Sequence, residues 1–447
     1  LITNTGKSIL GKYLLGQAPA YASYIAIGCG PKPLDTADIP GDYSNKKNLD
    51  FEMLRVPISS RGFVSEGGLD KIVFTAELPA EERYEITEVG IFSAKSNPSA
   101  GAYDSKTVFS FTDVENWNYH TSASSTAITS ISTALDENDD NVISTSLKAF
   151  QTNADNPIFY KTSRAGRYER CRFLNNVILI RGNDSNLTVS GGHFVIGAGS
   201  NHIHYTKPSA TFSQNSPTDE LRLAFSIINK DGDSVAVPDT VRVLVDFAST
   251  DAGTGEYARF EAEVTNGTGA GEYDLTENRY IVISKQLQEL YTSANFTWNA
   301  VTVAKIYVSI SNEYSVDQKS LTSDVATIRT TSNHGLSVGD IVNVTGVDST
   351  FNGQYTVTGI PTPTKFTYAK TATNVVITDV IPSGIVSVPN PNYYVALDSM
   401  RLENIGTTNV LYGLTGYSVI QNLNSESIVK APNTSNYVEF RFSIGVT

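Results

Sequence analysis

Histidine is the residue type here whose spacing comes closest to chemistry. The chain has five: His120, His193, His202, His204 and His334. In His202-Ile-His204 the imidazoles are two residues apart, so a strand puts both on one face, where they could hold a metal as a pair. No third ligand is identifiable from the sequence, so exposed or hydrogen-bonded histidines are the expectation. Cys29 and Cys171 are the only cysteines, with no CxxC or His/Cys cluster around them. Both read as small buried apolar residues, consistent with folding in a reducing cytoplasm. The run Asp136-Glu-Asn-Asp-Asp-Asn141 alternates oxygen ligands as a calcium loop does. It lacks the glycine at the sixth position and the closing bidentate glutamate, and reads as a solvated linker or helix N-cap. Asp219 and Glu220 could in principle cut a glycan, but neighbours in sequence point to opposite faces of a strand. Asn266-Gly-Thr-Gly-Ala-Gly271 reads as a hairpin turn, since no helix follows to cradle a phosphate. No nucleophile elbow, H-E-x-x-H or phosphate loop is present. The sequence therefore assigns no catalytic residue, no cofactor-binding residue and no metal ligand, and the protein is expected not to be an enzyme.

Composition narrows the partners. The chain has 447 residues, long enough for about three domains. Its formal net charge is −13, which excludes a general electrostatic footprint for nucleic acid. The densest basic stretch, Arg164-Ala-Gly-Arg-Tyr-Glu-Arg-Cys-Arg172, reads as a solvated strand edge or a protein contact. Only 18% of residues are charged, and Thr, Ser, Asn and Gly fill the deficit. Those types suit turns and solvated strand faces, so a mainly β protein is expected. No apolar run reaches 18 residues, so no membrane span is expected. No signal peptide is visible, and because the chain starts at Leu1 the reading allows for a missing initiator or short leader.

The elements that must carry these residues begin with a short helix over 3–16, where Ile9, Leu10, Tyr13 and Leu14 recur at helical spacing and Gly16 sits at the C-cap. Strands are expected at 24–30, 51–58, 71–78, 84–94 and 107–111. The order is a helix, Tyr24-Ile-Ala-Ile-Gly-Cys-Gly30, Leu54-Arg-Val-Pro-Ile58, Val73-Phe-Thr-Ala-Glu-Leu-Pro79 and Tyr84-Glu-Ile-Thr-Glu-Val-Gly-Ile-Phe92. It resembles the N-terminal attachment domain of phage tail-fibre (tail-collar fibre) proteins, which carry a "VGDG" turn, an "R-x-P-I" strand, a "F-x-A-x-(I/L)-P" strand and a "REVGLF" strand in that sequence. Here Gly28-Cys-Gly30 replaces the acidic turn, and the last strand lacks the usual Arg. The resemblance covers about residues 1–115 and implies an α+β domain that docks a fibre onto the baseplate.

Residues 116–155 read as a Ser/Thr-rich linker with one short helix near 144–150. From 156 a series of strands follows, at 171–180, 186–189, 193–196, 221–228, 240–247, 257–264, 279–283 and 301–310, with one helix at 284–290. Regular strands with polar turns, such as Lys230-Asp-Gly-Asp and Thr265-Asn-Gly-Thr-Gly, indicate a β-sandwich or jelly roll. Within it, residues 324–376 read as an inserted small β-barrel. The string His334-Gly-Leu-Ser-Val-Gly-Asp-Ile-Val-Asn-Val-Thr-Gly346, with Phe351-Asn-Gly-Gln-Tyr-Thr-Val357, is similar to a small barrel module of phage structural proteins and to a half-domain of ubiquitin-activating enzymes. The enzyme's chemistry is not implied. Residues 212–225 and 393–402 look like a virion jelly-roll module, a fold shared with carbohydrate-binding modules. The expected division is 1–115 particle attachment, 116–155 linker, 156–323 with 377–405 sandwich, 324–376 barrel, and 406–447 a C-terminal β extension. Residues 437–444 alternate strictly enough to complete a sheet, either their own or that of a neighbouring copy.

These resemblances imply a structural component of a phage virion, a baseplate or tail-fibre protein made in the bacterial host cytoplasm. The implied partners are other virion proteins and further copies of the chain. The alternative is a receptor-binding module that grips a host surface glycan.

Overall fold

The computed structural model describes residues 14–16, 22–28, 49, 52–78, 84–86, 88–93, 105–109, 117–121, 124–127, 131–133, 158–161, 166–168, 171–173, 177–206, 212, 215–229, 237–249, 256–267, 272–273, 275, 281–403, 413–414, 428–430 and 437–443. They are overwhelmingly strand, as the shortage of charged helix formers and the wealth of Thr, Val, Ile and Tyr predict. The helix expected over 3–16 lies outside the described residues except at 14–16. The expected helix over 284–290 is a correction. Strand Ile281–Gln286 runs through its first half, and only Leu287–Glu289 turns, as a single 3-10 turn. Pairing of this strand with Glu220–Phe225 outweighs the helix propensity of Lys285, Gln286 and Leu287.

The N-terminal sheet has the order Gly413–Leu414, Glu88–Ser93, Ala22–Gly28, Glu52–Glu66, Leu69–Glu77, Tyr437–Ser443. The C-terminal strand thus closes the sheet of its own chain, with Phe440 opposite Phe74 in an antiparallel ladder. Ile428–Lys430 also returns, to pair with Tyr84–Ile86. The apolar side of this sheet packs Ile25, Ile27, Val56, Phe74 and Ile91 together. Ser105–Phe109 leaves it and pairs instead with Tyr393–Glu403 of the sandwich.

Two sheets pack face to face to make the sandwich. One contains Ile281–Gln286, Glu220–Asn229, Tyr393–Glu403, Val177–Arg181, Ile158–Lys161 and Ile131–Thr133. The other contains Tyr257–Thr265, Thr240–Ala248, Val303–Thr322, His202–Thr206, Trp117–His120 and Ser125–Ala127. Side chains from both sheets share one core, including Leu223, Phe225, Val395, Val243, Phe260 and Ile306. Each such side chain contributes roughly 1.5–3 kcal/mol by leaving water. Residues 117–133 are a second correction, since the expected linker supplies strands and a wholly buried Trp117 to this core. The short helix expected near 144–150 and the acidic run 136–141 lie outside the described residues.

Val303–Thr322 is the axis of the molecule. Its first half is a central sandwich strand, and its second half enters a closed six-stranded barrel. Round the barrel the order is Val303–Thr322, Val325–Thr330, Lys365–Ala369, Gly353–Thr362, Ile341–Thr345, Val375–Pro389, and back to the first. Val316, Ile328, Val344, Phe351, Phe366 and Tyr368 fill its interior. Gly384 lets two walls approach closely, because a Cβ there would lie 2.8 Å from the Thr345 carbonyl oxygen. The wall therefore includes strand segments on both sides of 324–376.

Candidate functional site

The outer face of the sandwich sheet collects the polar chemistry. Inward residues Ile203, Val245, Phe260 and Ile306 alternate with outward His204, Asp246, Arg259 and Lys305, because successive side chains on a strand face opposite ways. Register then aligns a row straight across four strands: His204 beside Lys305, Lys305 beside Asp246, and Asp246 beside Arg259. Arg259 grips Asp246 with two hydrogen bonds, Nε to Oδ1 at 2.9 Å and Nη2 to Oδ2 at 3.3 Å. Burial pushes the Asp246 carboxyl up to about 6, although Arg259 and Lys305 pull it down. Burial also raises the Tyr307 hydroxyl, with Asp246 adding to the shift.

At its His204 end the row meets two further histidines. His202 and His204 share the outer face of one strand, and His120 on the neighbouring strand lies directly opposite His202. The His120 ring stacks on both, with centroids 4.9 Å from His202 and 4.8 Å from His204. Nitrogens of the three rings lie within 4.8 Å of one another. His204 is buried, whereas His120 and His202 are partly exposed. Ser125, across the hairpin, puts its hydroxyl 3.1 Å from His120 Nε2. The ring of Tyr307 packs 4.9 Å from that of His202. The third imidazole that the sequence could not identify is therefore His120, brought in by strand pairing.

The other sequence candidates are scattered. His193 Nδ1 sits 3.2 Å from Glu261, on a hairpin that covers Leu244 and Tyr307. His334 lies in the barrel, where its Nδ1 accepts a hydrogen bond from the Leu336 amide at 3.0 Å, and burial lowers its pKa. Asp219 accepts from the Ser216 amide at 2.8 Å, while Glu220 pairs with Arg222, so these carboxylates serve separate partners. The basic stretch contributes a two-stranded hairpin, Gly166–Tyr168 with Cys171–Phe173. Cys29 lies outside the described residues.

A second region of interest is the N-terminal sheet. Its strand motifs come together although they are far apart in sequence. The Arg55 guanidinium lies 4.0 Å over the ring of Phe92, so "R-x-P-I" touches "E-V-G-I-F". Gly90 in the latter is required by packing, since a Cβ there would sit 2.7 Å from the Phe92 ring. The hairpin Glu52–Glu66 and Leu69–Glu77 runs to a turn at Gly67-Gly68, both with positive φ, and exposes Phe63 near its tip.

Geometry defines a mainly β protein with a six-stranded N-terminal sheet, a sandwich bearing a polar face, and a barrel. No protein-family model matches the chain, and no curated protein matches it.

Proposed function

We propose that the chain is a structural component of a tailed-bacteriophage particle, a baseplate or tail-fibre protein that docks through its N-terminal sheet. What carries the reading is the convergence of the attachment-domain motifs on adjacent strands. Ala22–Gly28 pairs with the "R-x-P-I" strand on one side and the "E-V-G-I-F" strand on the other, and the "F-T-A-E-L-P" strand follows next. Under this reading the protein turns over no substrate. Other particle proteins are its partners, and strand Tyr437–Ser443, the last of its sheet among the described residues, is where a neighbouring copy would add.

The test is incorporation. Because residues 413–443 weave into the N-terminal sheet, the informative truncation removes 1–93 together with 413–447. Particles assembled with that form should lack the chain, as read by mass spectrometry of purified virions. Normal incorporation of the truncated form would sink the docking assignment.

A further inference from the structure

We infer that His120, His202 and His204 form a binding site for a divalent transition-metal ion, with Zn2+ the best fit. Three imidazoles converge on one sheet face from two neighbouring strands, and their nitrogens already lie within 4.8 Å of one another. Tetrahedral zinc with bonds of about 2.0–2.1 Å needs nitrogens about 3.3 Å apart. The remaining contraction would draw His120 and His202, which are partly exposed, toward buried His204. The Ser125 hydroxyl at His120 Nε2 supplies the outer partner that orients a ligating ring, which makes Nδ1 of His120 the ligand atom. An all-imidazole set selects zinc and its transition-metal neighbours over calcium or magnesium, which demand oxygen.

Lys305 is the opposing consideration, since it neighbours His204 in register and carries a like charge. Asp246 on its other side offsets that charge. The ion's fourth position faces outward and is left to water. Its effect would be mechanical: Trp117–His120 and Ser125–Ala127 form a short hairpin that joins the sheet through His202–Thr206. A metal bridging His120 to His202 and His204 would staple that hairpin to the sandwich.

The test uses the full-length, tag-free chain, stripped with chelator, dialysed against Zn2+ and analysed for bound metal. One zinc per chain is expected, together with a zinc-dependent rise in Tm. His120→Ala and His202→Ala should each weaken binding by at least about tenfold and abolish the rise, with unchanged circular dichroism. His193→Ala, outside the cluster, should bind as the wild type does. If His120→Ala disturbs the Trp117–His120 strand, His120→Gln keeps the side-chain bulk and should lose zinc equally. A folded wild-type chain that retains no zinc, or folded His120 and His202 variants that bind undiminished, would overturn the site.

Discussion

One strand, Val303–Thr322, serves two regions that solve the same problem differently. In its sandwich half every residue from Val303 to Ser311 is buried, on both faces of the sheet. In its barrel half only Val316 and Leu321 are. The barrel packs an apolar interior but leaves Val376, Ile377 and Ile381 exposed on its outside, beside a half-exposed Arg329–Asp317 pair. The sandwich sheet buries polar groups on its outer face as well, and Lys305, Asp246, His204 and Arg242 must find partners there. Arg242 does so through Glu263 at 2.6 Å and Glu313 at 2.9 Å. A buried polar group costs solvation free energy and is kept either by structure or by function. The two regions meet at Asn186 and Asn343, whose buried side-chain amides bond reciprocally.

The most drastic way to break the comparison is to remove one side of it. Tyr314 and Val386 are register partners, so an Asn-Gly turn can replace residues 315–385. The sandwich should keep a cooperative thermal transition, with a smaller urea m-value because less surface is exposed on unfolding. Loss of cooperativity would mean that the shared strand needs both halves.

The barrel was the most legible part of the sequence. Its inner strands and turns follow one another from Val325 to Tyr368, although the wall is completed by Val303–Thr322 and Val375–Pro389 on either side. The polar face was the least legible. His202 and His204 announce themselves by spacing, but His120 joins them only through the pairing of strands far apart in the chain. The Ser/Thr-rich surroundings of Trp117 and Tyr119 disguised two core residues as linker. The return of the C-terminal strand to the N-terminal sheet was half legible: alternation predicted a strand, yet nothing local could name its partner.

A sharper test of the same contrast uses two arginines. Arg259→Met leaves the buried Asp246 carboxylate without its bidentate partner and should cost about 3 kcal/mol in urea denaturation. Arg329→Met, on the barrel, should leave the urea midpoint unchanged within error. Equal effects would erase the distinction between the two surfaces.

The smallest effect is in pH. Asp246 binds its proton more tightly in the folded protein, at about 6 against 3.8 when unfolded. The folded state therefore holds more protons between those values, and this group's contribution is complete below about 4 and lost as pH rises through about 6. Wild type should gain stability relative to Asp246→Asn, on the order of 2 kcal/mol, as pH falls from 7 to 4. A difference that is flat with pH would show that Asp246 is already ionised throughout that range.

The central claim, that this is a particle protein docked by its N-terminal sheet, is tested most directly by electron cryo-microscopy of the assembled virion. Density for the six-stranded sheet and its Phe63 hairpin is expected against neighbouring tail proteins, with the barrel pointing away. A reconstruction in which the barrel makes the docking contact, or in which the chain is absent, would contradict it.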